Sequence, residues 1–256
     1  MILLRSISSL IGLFAATVII LPFACLFGLL DPSGRLGWLP TRLWAWTVLL
    51  TGGAWAVRGR GFENLRSVSG AVVMSNHESY FDPVAFMALS TAPLRFLARH
   101  QLFYFPIFGW AMWANRHISI RRSGGRNAYR SVVRIAHALR HGRRVVVFPE
   151  GTRATRPEML PFKPGGFIAA IREGRPIIPA GVYGTRDVCP KGWHWAGQGP
   201  VALVVGEPIE TRRFNRRQVA DLMTEVRSKI LELREQAADL ATSAAVERSS
   251  SADQIA

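Results

Sequence analysis

The segment SNHESYFDP at residues 75–83 places a histidine five positions before an aspartate. An imidazole can take a proton from a reacting hydroxyl near neutral pH, and a carboxylate bonded to its other nitrogen orients the ring and stabilises the imidazolium. The spacing therefore raises the hypothesis that His77 is a general base oriented by Asp82. A simpler interpretation is that Asp82, directly before Pro83, is the N-cap of a helix with proline at its first position. The two roles are compatible.

A His-Asp spacing of five arises by chance in about one sequence in seven of this composition, so the pair alone is weak evidence and its setting carries more weight. The apolar run 71–74 contains two valines and predicts a buried strand, which Ser75 and Asn76 break as a turn would. His77 would then lie in a loop at a strand end, where catalytic groups often lie.

Basic and glycine-containing segments follow in the order HISIRRSG (117–124), VVVFPEGTRA (145–154), PFKPGG (161–166) and IIPAGVYGT (177–185). A glycine at a strand end lets backbone N–H groups approach an oxyanion, and an adjacent arginine binds phosphate through two parallel hydrogen bonds. Arg121, Arg153 and Lys163 are therefore candidates for an anion-binding cradle. The sequence has no P-loop, no nucleophile elbow and no zinc-ligand spacing of histidines, which disfavours covalent catalysis by serine and predicts no metal.

The formal net charge of +15 comes almost wholly from arginine, and residues 116–156 contain eleven arginines and one acid, Glu150. Such a surface favours an anionic partner. No helix-turn-helix, zinc finger or RNA-binding aromatic motif accompanies it, so we expect no nucleic acid as partner. Anionic membrane lipid is the better candidate, because the N-terminal region is strongly apolar. Cys25 and Cys189 give no disulfide framework, which is consistent with a reducing cytoplasm.

Residues 7–30 contain no charged residue and would form a helix about 36 Å long, enough to cross a bilayer. A second apolar stretch, 43–57, is too short to span and has arginines at both ends, which places both ends in the cytoplasm. We expect residues 1–57 to form two membrane-embedded helices at the cytoplasmic face of the inner membrane, integral or monotopic. A helical hairpin packed on a soluble core is the alternative. An interfacial position suits four tryptophans of this region, Trp38, Trp44, Trp46 and Trp55.

After the membrane segments, strand-like runs alternate with helix-like ones, which predicts an α/β domain with a mixed, largely parallel sheet covered by helices. The strand-like runs are 71–74, 95–98, 118–120, 145–148, 177–182 and 201–205. Apolar residues at helical spacing from Val219 on, preceded by the capping-box pair Asn215 and Gln218, predict an amphipathic C-terminal helix. We place the α/β domain at 58–240 and expect 241–256 to be a disordered tail.

Taken together and in this order, NHESYFD, ISIRR, FPEGTR and IIPAGV resemble the four sequence blocks of the glycerolipid acyltransferases, in particular the bacterial 1-acylglycerol-3-phosphate acyltransferases. The resemblance covers about residues 59–210. It implies an α/β acyltransferase domain in which His77 is the base and Asp82 orients it. It also implies that the third block engages the acceptor's phosphate together with the arginine of the second block, which makes substrate-binding candidates of Glu150, Gly151, Thr152 and Arg153.

The second block departs from the family pattern, in which the residue before the arginine is often acidic. Here Ile120 is followed by two arginines. Either Arg121 or Arg122 is therefore the phosphate contact, and the alignment favours Arg121.

The resemblance further implies transfer of an acyl group from a thioester to the free hydroxyl of 1-acylglycerol 3-phosphate, giving phosphatidate. The thioester would be carried by coenzyme A or acyl carrier protein, and the chemistry would need no acyl-enzyme, metal or other cofactor. The expected partners are thus membrane lipid, a lysophospholipid acceptor and the thioester. One alternative is acylation of another lysolipid, such as lyso-ornithine lipid, because the blocks recur in enzymes with different acceptors. The other is a non-catalytic protein that binds anionic lipid, which would not need His77, Asp82 or Glu150.

Overall fold

A computed structural model describes residues 2–121, 124–156, 158–190 and 197–253 of the protein. Within these ranges the chain forms a seven-stranded sheet with helices on both faces. The strands are β1 (Ala54–Arg60), β2 (Ala71–Ser75), β3 (Leu94–Arg99), β4 (Ile118–Ile120), β5 (Arg144–Val147), β6 (Ile177–Tyr183) and β7 (Gly199–Val205). The helices are α1 (Ile2–Leu30), α2 (Arg35–Thr51), α3 (Asn64–Ser67), α4 (Phe81–Leu89), α5 (Phe108–Ala114), α6 (Gly124–Arg140), α7 (Gly165–Glu173), α8 (Thr185–Val188) and α9 (Val219–Asp253), with 3-10 turns at His100–Tyr104 and Arg216–Gln218.

The strand order across the sheet is β1-β7-β6-β2-β5-β3-β4, and all neighbouring strands are parallel except β6 and β7. The prediction of a mixed, largely parallel sheet covered by helices is therefore confirmed. Parallel strands joined by crossovers have their carboxyl ends at one edge of the sheet. The loops that follow β2, β5 and β6 consequently lie side by side, and those that follow β3 and β4 lie further along the same edge.

β2 lies at the centre of the sheet and is buried along its whole length. Because successive side chains of a strand point to opposite faces, Val73 packs in a core that includes residues of α1, α2 and α4. Val72 and Met74 pack on the other face, with residues of α6, α7 and α9. The loop that begins after β2 is thus anchored between two hydrophobic cores.

The first two helices form an antiparallel hairpin against α4 and α5. Residues Ser6–Leu30 are long and apolar enough to cross a membrane, and only 17% of their most apolar window is buried. Exposed apolar side chains continue along the outer face of α2, at Leu36, Leu39, Leu43 and Leu50. The hairpin therefore buries one face on the domain and leaves a wide apolar face outside.

Two predictions about this region are wrong. The sequence pattern assigns residues 54–57 to the second helix, but they belong to β1 and pair with β7, so the predicted domain boundary cuts a strand. Their apolar side chains suit a half-buried strand as well as a helix end. Trp38 and Trp44, expected at a membrane interface, are buried, and their indole N–H groups donate to the Ser90 carbonyl (2.9 Å) and the Thr17 hydroxyl (3.1 Å).

The C-terminal helix α9 is longer than predicted, because it continues to Asp253. The predicted disordered tail is therefore wrong for residues 241–253, while 254–256 lie outside the described residues. The second half of the helix buries mainly small side chains, including Ala237, Ala241 and Ala244. A stripe of alanines has too little hydropathy to be distinguished from a solvated tail. The structure does contain the predicted capping box of Asn215 and Gln218, in the 3-10 turn that leads into α9.

α9 crosses β6 at Gly181, where a Cβ atom would lie 2.2 Å from the backbone nitrogen of Arg234. We expect Gly181→Ala to push α9 away from the sheet and to lower the free energy of unfolding by about 1–3 kcal/mol, the usual cost of overpacking. The control is Gly165→Ala, whose Cβ would meet its nearest neighbour, in Val132, at an ordinary 3.6 Å. Thermal melting in one detergent compares the two. A Gly181→Ala variant as stable as the control would contradict this packing.

Candidate active site

His77 and Asp82 form a hydrogen-bonded pair at the carboxyl end of β2. The Nδ1 atom of His77 lies 2.7 Å from Oδ2 of Asp82. The carboxylate is fully buried, whereas the imidazole side chain is 12% exposed. Nε2 of His77 has no hydrogen-bond partner among the described residues. The ring therefore has one nitrogen held by the protein and one that can accept a proton from a bound molecule.

Asp82 is not an N-cap residue, so that prediction is wrong. α4 begins at Phe81, two residues earlier than predicted, with Tyr80 at the N-cap position, which places Asp82 in the first helical turn. Its Oδ2 accepts hydrogen bonds from the backbone N–H groups of Glu78 (2.7 Å) and Ser79 (2.9 Å). The chain thus turns before Pro83 rather than at it, and the carboxylate holds the loop that carries His77.

Thr185 completes the surroundings of Asp82. Its hydroxyl donates to Oδ1 of Asp82 at 2.5 Å, and both side chains are fully buried. The carboxylate therefore accepts bonds from two backbone N–H groups, one hydroxyl and the imidazole. An ionised carboxylate can only accept, so Nδ1 of His77 is the donor and Nε2 carries the lone pair.

The loop after β5 fixes His77 from the other side. The imidazole stacks on the Phe148 ring, with centroids 4.1 Å apart and planes inclined by 16°. The backbone N–H of His77 donates to Oε1 of Glu150 at 2.8 Å, and its carbonyl accepts from the N–H of Ala154 at 2.8 Å. Both the ring and the backbone of His77 are therefore held by residues that lie more than 70 positions further along the chain.

Glu150 is a buried carboxylate that joins two loops. Its second oxygen, Oε2, accepts from the backbone N–H of Leu160 at 2.8 Å. Burial raises the pKa of Glu150, and the backbone donors and His77 oppose that shift. Because backbone N–H groups engage both oxygens, the geometry favours a positioning role for Glu150. Its contact with substrate stays a prediction.

The cationic candidates Arg153 and Lys163 both belong to the segment that follows β5. Gly151 has a φ of 71°, and its own N–H donates to the Phe148 carbonyl, so this glycine supplies a tight turn rather than a free donor. A Cβ at Gly151 would lie 2.9 Å from Nζ of Lys163, which therefore passes directly over it. The Arg153 guanidinium lies 3.5 Å from the centroid of the Tyr80 ring, in a cation–π contact. Thr152, partly buried, lies between Gly151 and Arg153.

Arg121 lies at the same edge but apart from this group. β5 and β3 separate β4 from β2, so three strand spacings, or roughly 14 Å, lie between them. The Arg121 guanidinium lies 3.2 Å from Nε2 of His100, whose Nδ1 is bonded to the Ser119 hydroxyl. The alternative phosphate contact, Arg122, is outside the described residues. The structure thus brings Arg153 to the His77 loop, places Lys163 over Gly151 in the neighbouring loop, and leaves Arg121 further along the edge.

An ion-pair cluster lies behind the His77 loop and was not predicted from the sequence. Glu78 is buried, and its carboxylate lies 2.9 Å from Arg234 of α9 and 3.7 Å from Arg186 of α8. Burial raises the pKa of Glu78, and the two arginines oppose that shift. The contact depends on α9 crossing the sheet, so the local motif carries no signal of it. Thr185 and Phe148, in contrast, lie in the segments IIPAGVYGT and VVVFPEGTRA. Their position in these motifs could have marked them as candidate site residues.

The arrangement suits proton abstraction next to a bound anion. His77 supplies a proton acceptor held in one orientation, and Arg153 and Lys163 supply positive charge on the neighbouring loop after β5. Within the described ranges no three His, Cys, Asp or Glu side chains are grouped so that they could hold a metal ion.

The chain is similar in sequence to known acyltransferases. A sequence model described as acyltransferase matches residues 56–183. A chloroplastic 1-acyl-sn-glycerol-3-phosphate acyltransferase of Arabidopsis thaliana is 30% identical over 86% of this chain, and one of Brassica napus is 31% identical over 68%. The chain spans only 61% and 49% of the lengths of these two relatives. The enzyme of the same name from Escherichia coli is 29% identical, with 68% of this chain and 72% of that protein covered.

The fold also matches a solved structure. The crystal structure of the 1-acyl-sn-glycerophosphate acyltransferase of Thermotoga maritima has a TM-score of 0.76 to this chain, with 94% of this chain and 98% of that chain covered. The sequence identity is 21%, so this likeness bears on the fold alone. The family model spans half of the chain and includes the whole segment from β2 to β6 that carries the His77 loop, and on that ground the protein belongs to the acyltransferase family.

Proposed function

We propose that the protein transfers an acyl group from a thioester to the free hydroxyl of 1-acyl-sn-glycerol 3-phosphate and so produces phosphatidate. The observation that carries the proposal is the His77–Asp82 pair, in which a buried carboxylate holds Nδ1 and leaves Nε2 available. The names of the plant and bacterial relatives support this choice of reaction and acceptor.

The acceptor hydroxyl is too weak an acid to ionise by itself, so the reaction needs a base. Nε2 of His77 takes the hydroxyl proton as the oxygen attacks the thioester carbonyl, and Asp82 stabilises the imidazolium. A new C–O bond forms, the C–S bond breaks, and the proton passes from His77 to the departing thiolate. The acyl group goes directly to the acceptor, without an acyl-enzyme, because the substrate's hydroxyl takes the place of a serine nucleophile.

Recognition of the acceptor rests on its phosphate, which carries a charge of about −2 at neutral pH. Arg153 is the best-placed candidate, because stacking on Tyr80 preorganises its guanidinium next to the His77 loop. Lys163 adds a second cation over Gly151. Arg121 would reach only a part of the substrate that extends along the sheet edge toward β4.

The acyl donor and the cellular location follow from the lipid nature of the acceptor. A lysolipid lies in the membrane, and the apolar outer face of α1 and α2 gives the protein a way to reach it. The arginine-rich domain would then lie on the cytoplasmic face, where the acyl thioesters of coenzyme A and acyl carrier protein are found. The reaction as written needs no metal or other cofactor.

We expect His77→Ala to reduce the turnover of a lysophosphatidate acyltransferase assay by about 100-fold to 10,000-fold, the usual contribution of a general base. Asp82→Asn should also reduce turnover severely, because an amide can present its NH₂ to Nδ1 and reverse the tautomer. The control is His141→Ala, which removes an exposed histidine. If His77→Ala retained a tenth or more of the wild-type turnover, His77 would not be the base.

Thr185 is expected to act through Asp82 rather than on the substrate. Thr185→Val keeps the shape but removes the donor to Oδ1, and we expect turnover to fall about 10-fold, with the KM for the acceptor unchanged. Thr185→Ser keeps the hydroxyl and should restore most of the turnover. Steady-state kinetics of both variants test this. A Thr185→Ser enzyme as slow as Thr185→Val, or a change confined to KM, would argue against a positioning role.

The assignment of the phosphate site predicts a difference between neighbouring arginines. Arg153→Ala should raise the KM for lysophosphatidate about 10-fold to 100-fold, with a smaller effect on the KM for the thioester, because a charge-assisted bond to phosphate is lost. Arg156→Ala, on the same loop but exposed, should behave like the wild type. Competition between lysophosphatidate and lyso-ornithine lipid at equal concentration provides the second readout. Preference for lyso-ornithine lipid would exclude lysophosphatidate as the principal acceptor.

A further inference from the structure

A basic groove lies along the outer side of the edge strand β4, between that strand and α6. It encloses a cavity of about 770 Å³. The positively charged or titratable side chains of the groove include five arginines, Arg116, Arg121, Arg130, Arg134 and Arg143. Among the described residues that line it there is no aspartate or glutamate. The groove is therefore a concave surface of one charge sign.

Arg116 and Arg143 of this groove lie close enough to repel each other. Burial lowers the pKa of Arg143, and the charge of Arg116 lowers it further. Burial together with Arg143 and Arg116 lowers the pKa of Arg95, just behind the groove, to about 10, and Asp31 only partly opposes this. Positive charge has thus been brought together without enough negative charge from the described protein to balance it. A bound anion would relieve the repulsion.

At least three of the five arginines also have contacts within the protein, and Arg121 has its contact with His100. Arg116 donates to the carbonyls of Gly28 and Ala114, and Arg134 donates to the Ser119 carbonyl on the open side of β4. Covering a sheet edge is a sufficient reason for Arg134. Covering the sheet edge does not explain why Arg130 and Arg143 line the same cavity.

An apolar cleft adjoins the groove and shares Trp113 with it. The cleft has a volume of about 360 Å³ and is lined by Cys25 of α1 together with Phe103, Gly109, Trp110 and Trp113. Both tryptophans are largely exposed, at 59% and 68%. A headgroup-sized basic groove that continues into an apolar cleft beside a membrane-type helix matches the two halves of a phospholipid.

The groove extends away from the active site. Arg121 and His100 lie at the carboxyl edge of the sheet, whereas Arg116, just before β4, and Arg143, just before β5, lie at the opposite edge. β4 is also three strands from β2, or roughly 14 Å. A phosphate held between Arg116 and Arg143 would therefore be out of reach of His77.

We propose that this groove and cleft form a second lipid site, which holds an anionic phospholipid of the surrounding membrane. Its phosphate lies between Arg116 and Arg143, with Arg130 further along the groove, and one acyl chain lies against Trp110 and Trp113. The inference relies on the proposed membrane association but not on the acyl-transfer reaction. The bound lipid would hold α5 and the carboxyl end of α1 at the level of the headgroups.

The test uses the full chain in a neutral detergent, without thioester. Phosphatidylglycerol with brominated acyl chains is added, and its affinity is measured by quenching of tryptophan fluorescence. Arg130→Gln combined with Arg143→Gln should weaken binding at least about tenfold, because two positive charges of the groove are lost. The matched control, Arg216→Gln combined with Arg217→Gln, removes the same charge from an exposed turn and should change the affinity less than about threefold.

Further ligands and variants distinguish this lipid site from a site for free phosphate, from the His77 site and from a site for acyl carrier protein. Brominated phosphatidylcholine and soluble glycerol 3-phosphate should both bind much more weakly than phosphatidylglycerol, which distinguishes a lipid site from a site for free phosphate. Arg153→Ala should leave the lipid affinity unchanged. Equal losses in the two double variants, or a loss in Arg153→Ala alone, would overturn the proposal. The lipid assignment would also be wrong if the Arg130/Arg143 variant kept its lipid affinity but lost binding to an acidic acyl carrier protein.

Discussion

The buried carboxylate of Asp82 is the constraint on which the rest of the site depends. A fully buried charge is costly unless donors surround it, and here the donors come from the loop after β2 and from Thr185, the first residue of α8, with the imidazole as the last. Loss of one donor would cost about 1–3 kcal/mol, so the surrounding elements are fixed relative to one another. The same bonds that satisfy the charge also orient His77.

The parallel sheet makes this arrangement possible. β2 pairs with both β5 and β6, so the loops after these three strands meet around one point. The Asn76 side chain extends the link to β6, because its amide bonds both the N–H and the carbonyl of Val182 at 2.9 Å. Glu150 provides the corresponding link to the β5 loop. The His77 loop is therefore held as a continuation of the sheet.

The N-terminal hairpin supports the His77 loop through α4, the helix that carries Asp82. α4, which carries Asp82, packs between the sheet and α2, and a Cβ at Gly52 would lie 2.5 Å from the Phe81 ring. Trp38 of α2 donates to the Ser90 carbonyl at the end of α4. Two faces of the hairpin thus have different roles. One face buttresses the helix of the active site, and the other is apolar and exposed.

The sequence predicts those features that depend on local pattern. The apolar runs of β2, β5 and β6 are buried along most of their length, so their positions are predicted within about one residue. His77 and Asp82 share one turn, so their spacing suffices to suggest the pair. β1 was not predicted, because no charged residue separates its apolar residues from the preceding membrane-type segment. The contact of Asp82 with Thr185, 103 residues away, depends on β6 lying beside β2, which no local pattern encodes.

The most direct test of this account is the protonation state of His77 in the resting protein. Nitrogen-15 NMR of histidine-labelled protein, with the His77 signals assigned by their loss in His77→Asn, reports which ring nitrogen carries the proton at a pH where the imidazole is neutral. The account predicts that Nδ1 is protonated and bonded to Asp82, and that Nε2 is the bare acceptor. A neutral His77 with its proton on Nε2 would contradict the central claim, because the nitrogen that should take the hydroxyl proton would already be occupied.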